Sequence, residues 1–103
     1  MKRESALEKV LRQAVRSAGG LCIKLPANLY RGIPDRLVLL PGGRIYFVEL
    51  KTEKGKPSVH QLRYQIFLRK LGFNSDIIQG ESQLRDFIEN HVERKDSPTP
   101  SGD

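Results

Sequence analysis

Two apolar stretches, residues 35–40 (DRLVLL) and 44–51 (RIYFVELK), are separated only by Pro41-Gly42-Gly43. Proline and two glycines interrupt both stretches and supply the φ angles that a tight reversal needs. The pattern therefore predicts a β-hairpin. Both stretches are apolar on both of their faces, which predicts central strands in a sheet that is covered on each side. The rest of the chain must supply that cover.

Residues 4–18 place Leu7, Val10, Leu11, Ala14, Val15 and Ala18 on one helical face, with Lys9, Arg12 and Arg16 opposite. Gly19-Gly20 ends this helix. Residues 21–25 read as a short strand, and the Pro-, Asn- and Gly-containing segment 26–34 reads as a loop. After the hairpin, residues 52–57 (TEKGKP) form a basic connecting loop. Ser58 is placed to cap a second helix that runs to Leu71 and is closed by Gly72. Residues 73–79 predict a further strand. Ser82 is expected to cap a last helix, with Leu84, Phe87, Ile88 and His91 along one stripe. The order is α-β-β-β-α-β-α, an α/β fold with a mixed central sheet flanked by helices. One domain is expected over residues 1–94, followed by a polar, disordered tail over 95–103 (KDSPTPSGD). The second helix carries two apolar stripes, Tyr64/Phe67/Leu68/Leu71 and Val59/Leu62/Ile66. A surface helix needs one, so the second is expected to pack either in a homodimer interface or against a neighbouring element of the same chain.

A chain of 103 residues with a formal charge of +6 has a modest core and a surface that favours polyanions, nucleic acid ahead of anionic membrane. Its single cysteine, Cys22, excludes an internal disulfide and a cysteine-based zinc site. The apolar setting of Cys22 makes it a core residue. The N-terminus has no signal-peptide core and no apolar run reaches membrane-spanning length, so an intracellular, soluble protein with no membrane partner is expected.

The hairpin also carries the residues able to do chemistry. Glu49 and Lys51 are two apart and share a strand face with Ile45 and Phe47. Alone, such an acid–x–lysine pair is usually an exposed ion pair, and Asp35 alone could be a turn residue. Their combination depends on register. A two-residue loop would set Asp35 opposite Leu50, whereas a three-residue Pro-Gly-Gly loop sets Leu40 opposite Arg44 and Asp35 opposite Glu49. Two carboxylates on one apolar face repel each other, and a divalent cation relieves that repulsion. Hard oxygen ligands suit Mg²⁺ or Mn²⁺, which lowers the pKa of a bound water and polarises a phosphoryl oxygen. A neighbouring lysine can orient or deprotonate that water, or stabilise charge developing on phosphate. These parts suit phosphodiester hydrolysis.

Gly32-Ile33-Pro34-Asp35 followed by Glu49-Leu50-Lys51 resembles the PD-(D/E)xK nuclease superfamily and, more narrowly, the small standalone VRR-Nuc domains of bacteria and phages. The segments RGIPDRLVLLPGGRIYFVELK, GKPSVHQLRYQIFLRKLGF and ESALEKVLRQAVRSAGG extend the likeness over most of residues 4–80. The resemblance implies a restriction-endonuclease-like core. It also implies that Asp35, Glu49 and the backbone carbonyl of Leu50 hold the metal and that Lys51 is the catalytic lysine. Glu8, or alternatively Glu4, would join the site from the first helix, and Gln61 would bind the attacking water or a phosphate oxygen. Arg31, Arg36, Arg44, Lys54 and Lys56 lie in or near the flanking loops and are candidates for DNA phosphate contact. His60 and His91 read as structural or surface residues. The expected activity is a Mg²⁺/Mn²⁺-dependent DNA endonuclease, cytoplasmic in a bacterial or phage-infected cell. Standalone relatives resemble archaeal Holliday-junction resolvases, which cut four-way junctions as dimers, so branched DNA is the expected substrate. The alternatives are a flap-directed nuclease, as in the larger Fanconi-anaemia-associated relative, and a non-catalytic module that binds structured nucleic acid.

Overall fold

The computed structural model describes residues 3–93; the tail expected over 95–103 lies outside the described residues. The elements are α1 (Glu4–Ser17), β1 (Leu21–Lys24), β2 (Arg36–Leu40), β3 (Arg44–Lys51), α2 (Val59–Lys70), β4 (Asn74–Gln79) and α3 (Gly80–Phe87), which continues into a π-helical turn, Ile88–Val92. The sheet order is β1-β2-β3-β4. β1, β2 and β3 run antiparallel in sequence, and β4 joins β3 in parallel, so the sheet is mixed. No helix among the described residues is long and apolar enough to cross a membrane.

The hairpin takes the three-residue loop. Leu40 pairs with Arg44 and Arg36 with Val48. Gly42 and Gly43 both have positive φ, 83° and 73°, with open space where a Cβ would lie. Both are needed for backbone conformation and not for room.

β2 and β3 occupy the centre as expected, but their two faces are covered unequally. On one face Val38, Leu40, Tyr46, Val48 and Leu50 are buried beneath Leu7, Leu11 and Val15 of α1 and Leu84 and Phe87 of α3. Burying each of these aliphatic side chains contributes roughly 1.5–3 kcal/mol. The other face carries Leu37, Leu39, Ile45 and Phe47, which are only half-buried or exposed. α2 covers it incompletely because it packs chiefly against β4. Leu68 is the one buried residue of α2, so most of both apolar stripes on this helix stay exposed.

The helix ends follow local chemistry. Beyond α1, the Gly20 N–H donates to the Val15 carbonyl and the Gly19 N–H to that of Arg16, a Schellman closure with Gly19 at φ 84°. Ser58 caps α2 within a capping box: its Oγ accepts from the Gln61 N–H at 3.1 Å, and Gln61 Oε1 accepts from the Ser58 N–H at 2.8 Å. The last helix begins at Gly80 and not after a Ser82 cap. β4 ends at Gln79, Gly80 turns at φ 79° directly into α3, and Gln83 Oε1 takes the Gln79 N–H.

Gly32 joins the loop before β2 to α2. Its φ is 87°, and a Cβ there would lie 2.4 Å from the His60 carbonyl oxygen. Gly32→Ala is therefore expected to destabilise the protein by about 2–3 kcal/mol, from left-handed strain plus displacement of α2. Urea denaturation measures this, and a change below about 0.5 kcal/mol would contradict the packing.

Candidate active site

One step beyond the Arg36–Val48 pair, the hairpin register sets Asp35 across from Glu49. The two residues are interlocked. The Asp35 N–H is turned toward the Glu49 carboxyl, and the Leu50 N–H toward the Asp35 carboxyl. Glu49 is 6 % exposed, and Lys51 Nζ lies 3.9 Å from its Oε2. Burial, then the charge of Asp35, pushes the Glu49 carboxyl up to about 7, with Lys51 pulling the other way. Burial also raises Asp35, opposed by the Arg36 guanidinium, whose Nη1 lies 2.8 Å from Asp35 Oδ2. Asp35 Oδ1 is buried and has no hydrogen-bond partner among the described residues.

The two helix acids separate in space. The charge of Glu4 raises both Asp35 and Glu49. Glu8 instead pairs with Arg12 at 2.7 Å and lies 3.9 Å from Arg36 Nε. Gln61 spends its Oε1 on the capping box, which leaves its Nε2 as the free end of the amide for other work. The S-x-x-Q spacing over 58–61 signals that box in the sequence.

The five candidate cations also part company. Arg31, Lys54 and Lys56 are exposed in the loops at the Asp35/Glu49 end of the sheet. The loop holding the lysines is tied down by the Gly55 N–H donating to Thr52 Oγ1 at 3.1 Å and by Gln79 Nε2 donating to the Gly55 carbonyl. Arg36 is only 4 % exposed and faces carboxylates, not solvent. The period-2 alternation of β2 already places Arg36 on the core face with Val38 and Leu40, a signal available in the sequence. Arg44 opens β3 five residues before Glu49, roughly 16 Å away along the strand, and donates to the carbonyls of Pro41 and His91. It stands at the opposite end of the sheet from the carboxylates. His91 packs against Tyr46 and Phe87, and the His60 backbone meets Gly32.

Among the described residues no group of three or more His, Cys, Asp or Glu side chains is gathered to hold a metal ion. The centre is a facing pair: the buried Glu49 carboxyl and the half-buried Asp35 carboxyl, with one buried, unpartnered oxygen on Asp35 and a lysine beside Glu49. Hard oxygen donors whose ionisation is suppressed by burial and then by a neighbouring acid, Glu4 for Asp35 and Asp35 for Glu49, fit a small divalent cation, which would restore the charged form of both.

A mixed sheet with α1 and α3 on one face and α2 along the other, and Asp35 and Glu-x-Lys converging from adjacent central strands, defines a restriction-endonuclease-like domain of the PD-(D/E)xK class. No family model matches the chain. The chain is 42 % identical over 79 residues to "Putative nuclease p44" of Acyrthosiphon pisum secondary endosymbiont phage 1, spanning 77 % of this chain and 85 % of that protein. A solved structure described as a VRR_NUC domain superposes with a TM-score of 0.79 at 37 % identity, covering 88 % of this chain and 99 % of its own. The chain belongs to the VRR-Nuc family.

The facing carboxylates have a consequence for stability. The folded-state value of Glu49, about 7, lies above its ordinary 4.5, so folding favours the protonated form. That contribution is complete below pH 4.5 and is lost as the pH rises through about 7. In EDTA, wild type is expected to lose up to about 3 kcal/mol relative to Glu49→Gln across that window, measured by urea denaturation. Parallel pH profiles for the two proteins would contradict the site.

Proposed function

We propose that this protein is a Mg²⁺- or Mn²⁺-dependent DNA endonuclease. The observation that carries this reading is the facing of half-buried Asp35 and buried Glu49, with Asp35 Oδ1 buried and unpartnered and Lys51 alongside. Family membership and the relative's description as a nuclease support it. Asp35 and Glu49 would hold the cation. Glu4 would be the helix acid, because its charge acts on both carboxylates whereas Glu8 is engaged by two arginines. The Leu50 carbonyl would be a further ligand. In a strand, a residue's N–H and C=O point to the same side, and the Leu50 N–H faces the Asp35 carboxyl. Continuing the register sets Pro34, which has no N–H to give, opposite Leu50.

When bound, the cation supplies a water acidified toward neutrality and a polarised phosphoryl oxygen. Lys51 then orients or deprotonates the attacking water and offsets negative charge on the phosphate. Gln61 can offer its Nε2 to a phosphate oxygen. Arg31, Lys54 and Lys56 would hold the DNA backbone, so shape would be read ahead of base sequence. Each of Arg31→Ala, Lys54→Ala and Lys56→Ala is expected to reduce the slope of log affinity against log salt by about 1.

The active form is a homodimer in this reading, and branched DNA, four-way junctions first, is its substrate. Val59, Ile66 and Phe67 on α2 are each more than half exposed, and the adjoining sheet face with Ile45 is thinly covered. That apolar surface belongs under a second subunit. Ile66→Glu is expected to shift the sedimentation equilibrium to monomer and to depress junction cleavage. A wild-type monomer at high concentration would remove the dimer.

The decisive assay incubates four-way junction, flap and linear duplex DNA with Mg²⁺, Mn²⁺ or EDTA. Metal-dependent cutting, strongest on the junction, is expected. Lys51→Ala should cut at least about 100-fold more slowly while keeping its fold and its junction affinity. Tight junction binding with no cleavage under any condition would favour the non-catalytic binding module, and preferred cutting of the flap would favour the flap-directed alternative.

A further inference from the structure

Arg36 is buried within the charged region of the site without being one of its metal-binding oxygens. It opens β2 with its side chain on the core face, 4 % exposed, beneath α1. Its Nη1 reaches Asp35 twice, the carboxylate Oδ2 at 2.8 Å and the main-chain oxygen at 3.3 Å. Its Nε is buried without a hydrogen-bond partner, and Glu8 Oε2 lies 3.9 Å from it. Glu8 is itself held by Arg12 at 2.7 Å. Charges therefore alternate from the surface of α1 to the first carboxylate: Arg12, Glu8, Arg36, Asp35.

A buried guanidinium is costly unless it is paired and hydrogen-bonded. Here two carboxylates from different parts of the fold face it, Asp35 at 2.8 Å and Glu8 at 3.9 Å, and offset that cost although Nε gains no hydrogen bond. One of them, Asp35, is left with its other oxygen free. We propose that Arg36 and Glu8 are positioning residues: Arg36 clamps Asp35 through Oδ2 so that Oδ1 is presented to the cation, and Glu8 anchors Arg36 to α1. The inference rests on Asp35 being a metal ligand. It assigns Glu8 a place behind the site and takes Arg36 out of the set of DNA-contacting cations. The geometry explains why a planar fork is used. Arginine places two separate nitrogens, Nη1 at Asp35 and Nε toward Glu8, in a fixed plane, whereas a lysine offers one point charge with no fixed orientation.

The test compares Arg36→Met, Arg36→Lys, Glu8→Gln and Asp35→Asn in the full chain, using Mn²⁺ affinity by isothermal titration without DNA, junction cleavage and thermal unfolding. Partners that orient a metal ligand typically matter about 10–100-fold in affinity or activity. Arg36→Met is expected near the top of that range and Arg36→Lys near the bottom. Glu8→Gln should lose only a few-fold, well short of Asp35→Asn. A role in packing alone would lower thermal stability and leave the Mn²⁺ affinity of the folded protein unchanged. Should Arg36→Met not fold, Arg36→Lys decides: wild-type Mn²⁺ affinity and cleavage in that variant overturn the clamp. A loss in Glu8→Gln equal to that in Asp35→Asn overturns the placement of Glu8 and makes it a ligand. If Asp35→Asn alone loses metal, the clamp fails and the site stands. If Asp35→Asn also keeps metal and cleavage, the site itself fails, and the clamp with it.

Discussion

Two like charges held face to face across neighbouring strands govern this molecule. Asp35 and Glu49 meet because the Pro41-Gly42-Gly43 loop has three residues, and a shift of one would send the two carboxylates to opposite faces of the sheet. Each carboxyl is faced by a backbone N–H from across the hairpin, that of Asp35 just ahead of β2 and that of Leu50 in β3, so the pair is built into the hairpin instead of being added at its surface. The cost is visible in Glu49, pushed up to about 7 by burial and by its neighbour. A protein that keeps such a pair without using it would gain stability by losing it.

The rest of the fold can be read as support for that confrontation. α1 and α3 bury one face of the sheet in leucine, valine and phenylalanine and give β2 and β3 a rigid backing. Gly32 lets the loop before β2 lie against α2, which fixes where Asp35 emerges. Arg36 and Glu8 tie the same residue to α1. The other face is left thinly covered, with the exposed stripes of α2 beside it. The support is thus strongest directly behind the carboxylates and weakest where a second subunit is proposed to dock.

Much of this was legible in the sequence because it is written in short-range chemistry. Hairpin, register and element order follow from a proline, two glycines and two apolar runs, and the helix ends follow from Ser58, Gly19 and Gly72. The start of α3 was not legible: Gly80 enters the helix at positive φ straight from β4, which outcompetes the Ser82 cap. The charged residues were the harder part, since sequence spacing does not say which partner a long side chain finds. Arg36 and Arg44 were grouped with the flanking cations, yet one turns into the carboxylates and the other anchors the far end of the sheet. Alternation along β2 could have separated Arg36. Glu4 and Glu8, one turn apart, differ through tertiary neighbours that no local pattern encodes. Cover on the second sheet face was overestimated because apolar strand residues do not reveal where the following helix will pack, and α2 lies chiefly against β4.

The most direct test of the central claim is an anomalous difference map from crystals of the protein grown with Mn²⁺. A single strong peak between Asp35 Oδ1 and the Glu49 carboxylate, with Lys51 beside it, is the predicted result. A peak elsewhere, or density that sets the two carboxylates on opposite faces of the sheet, would contradict the account.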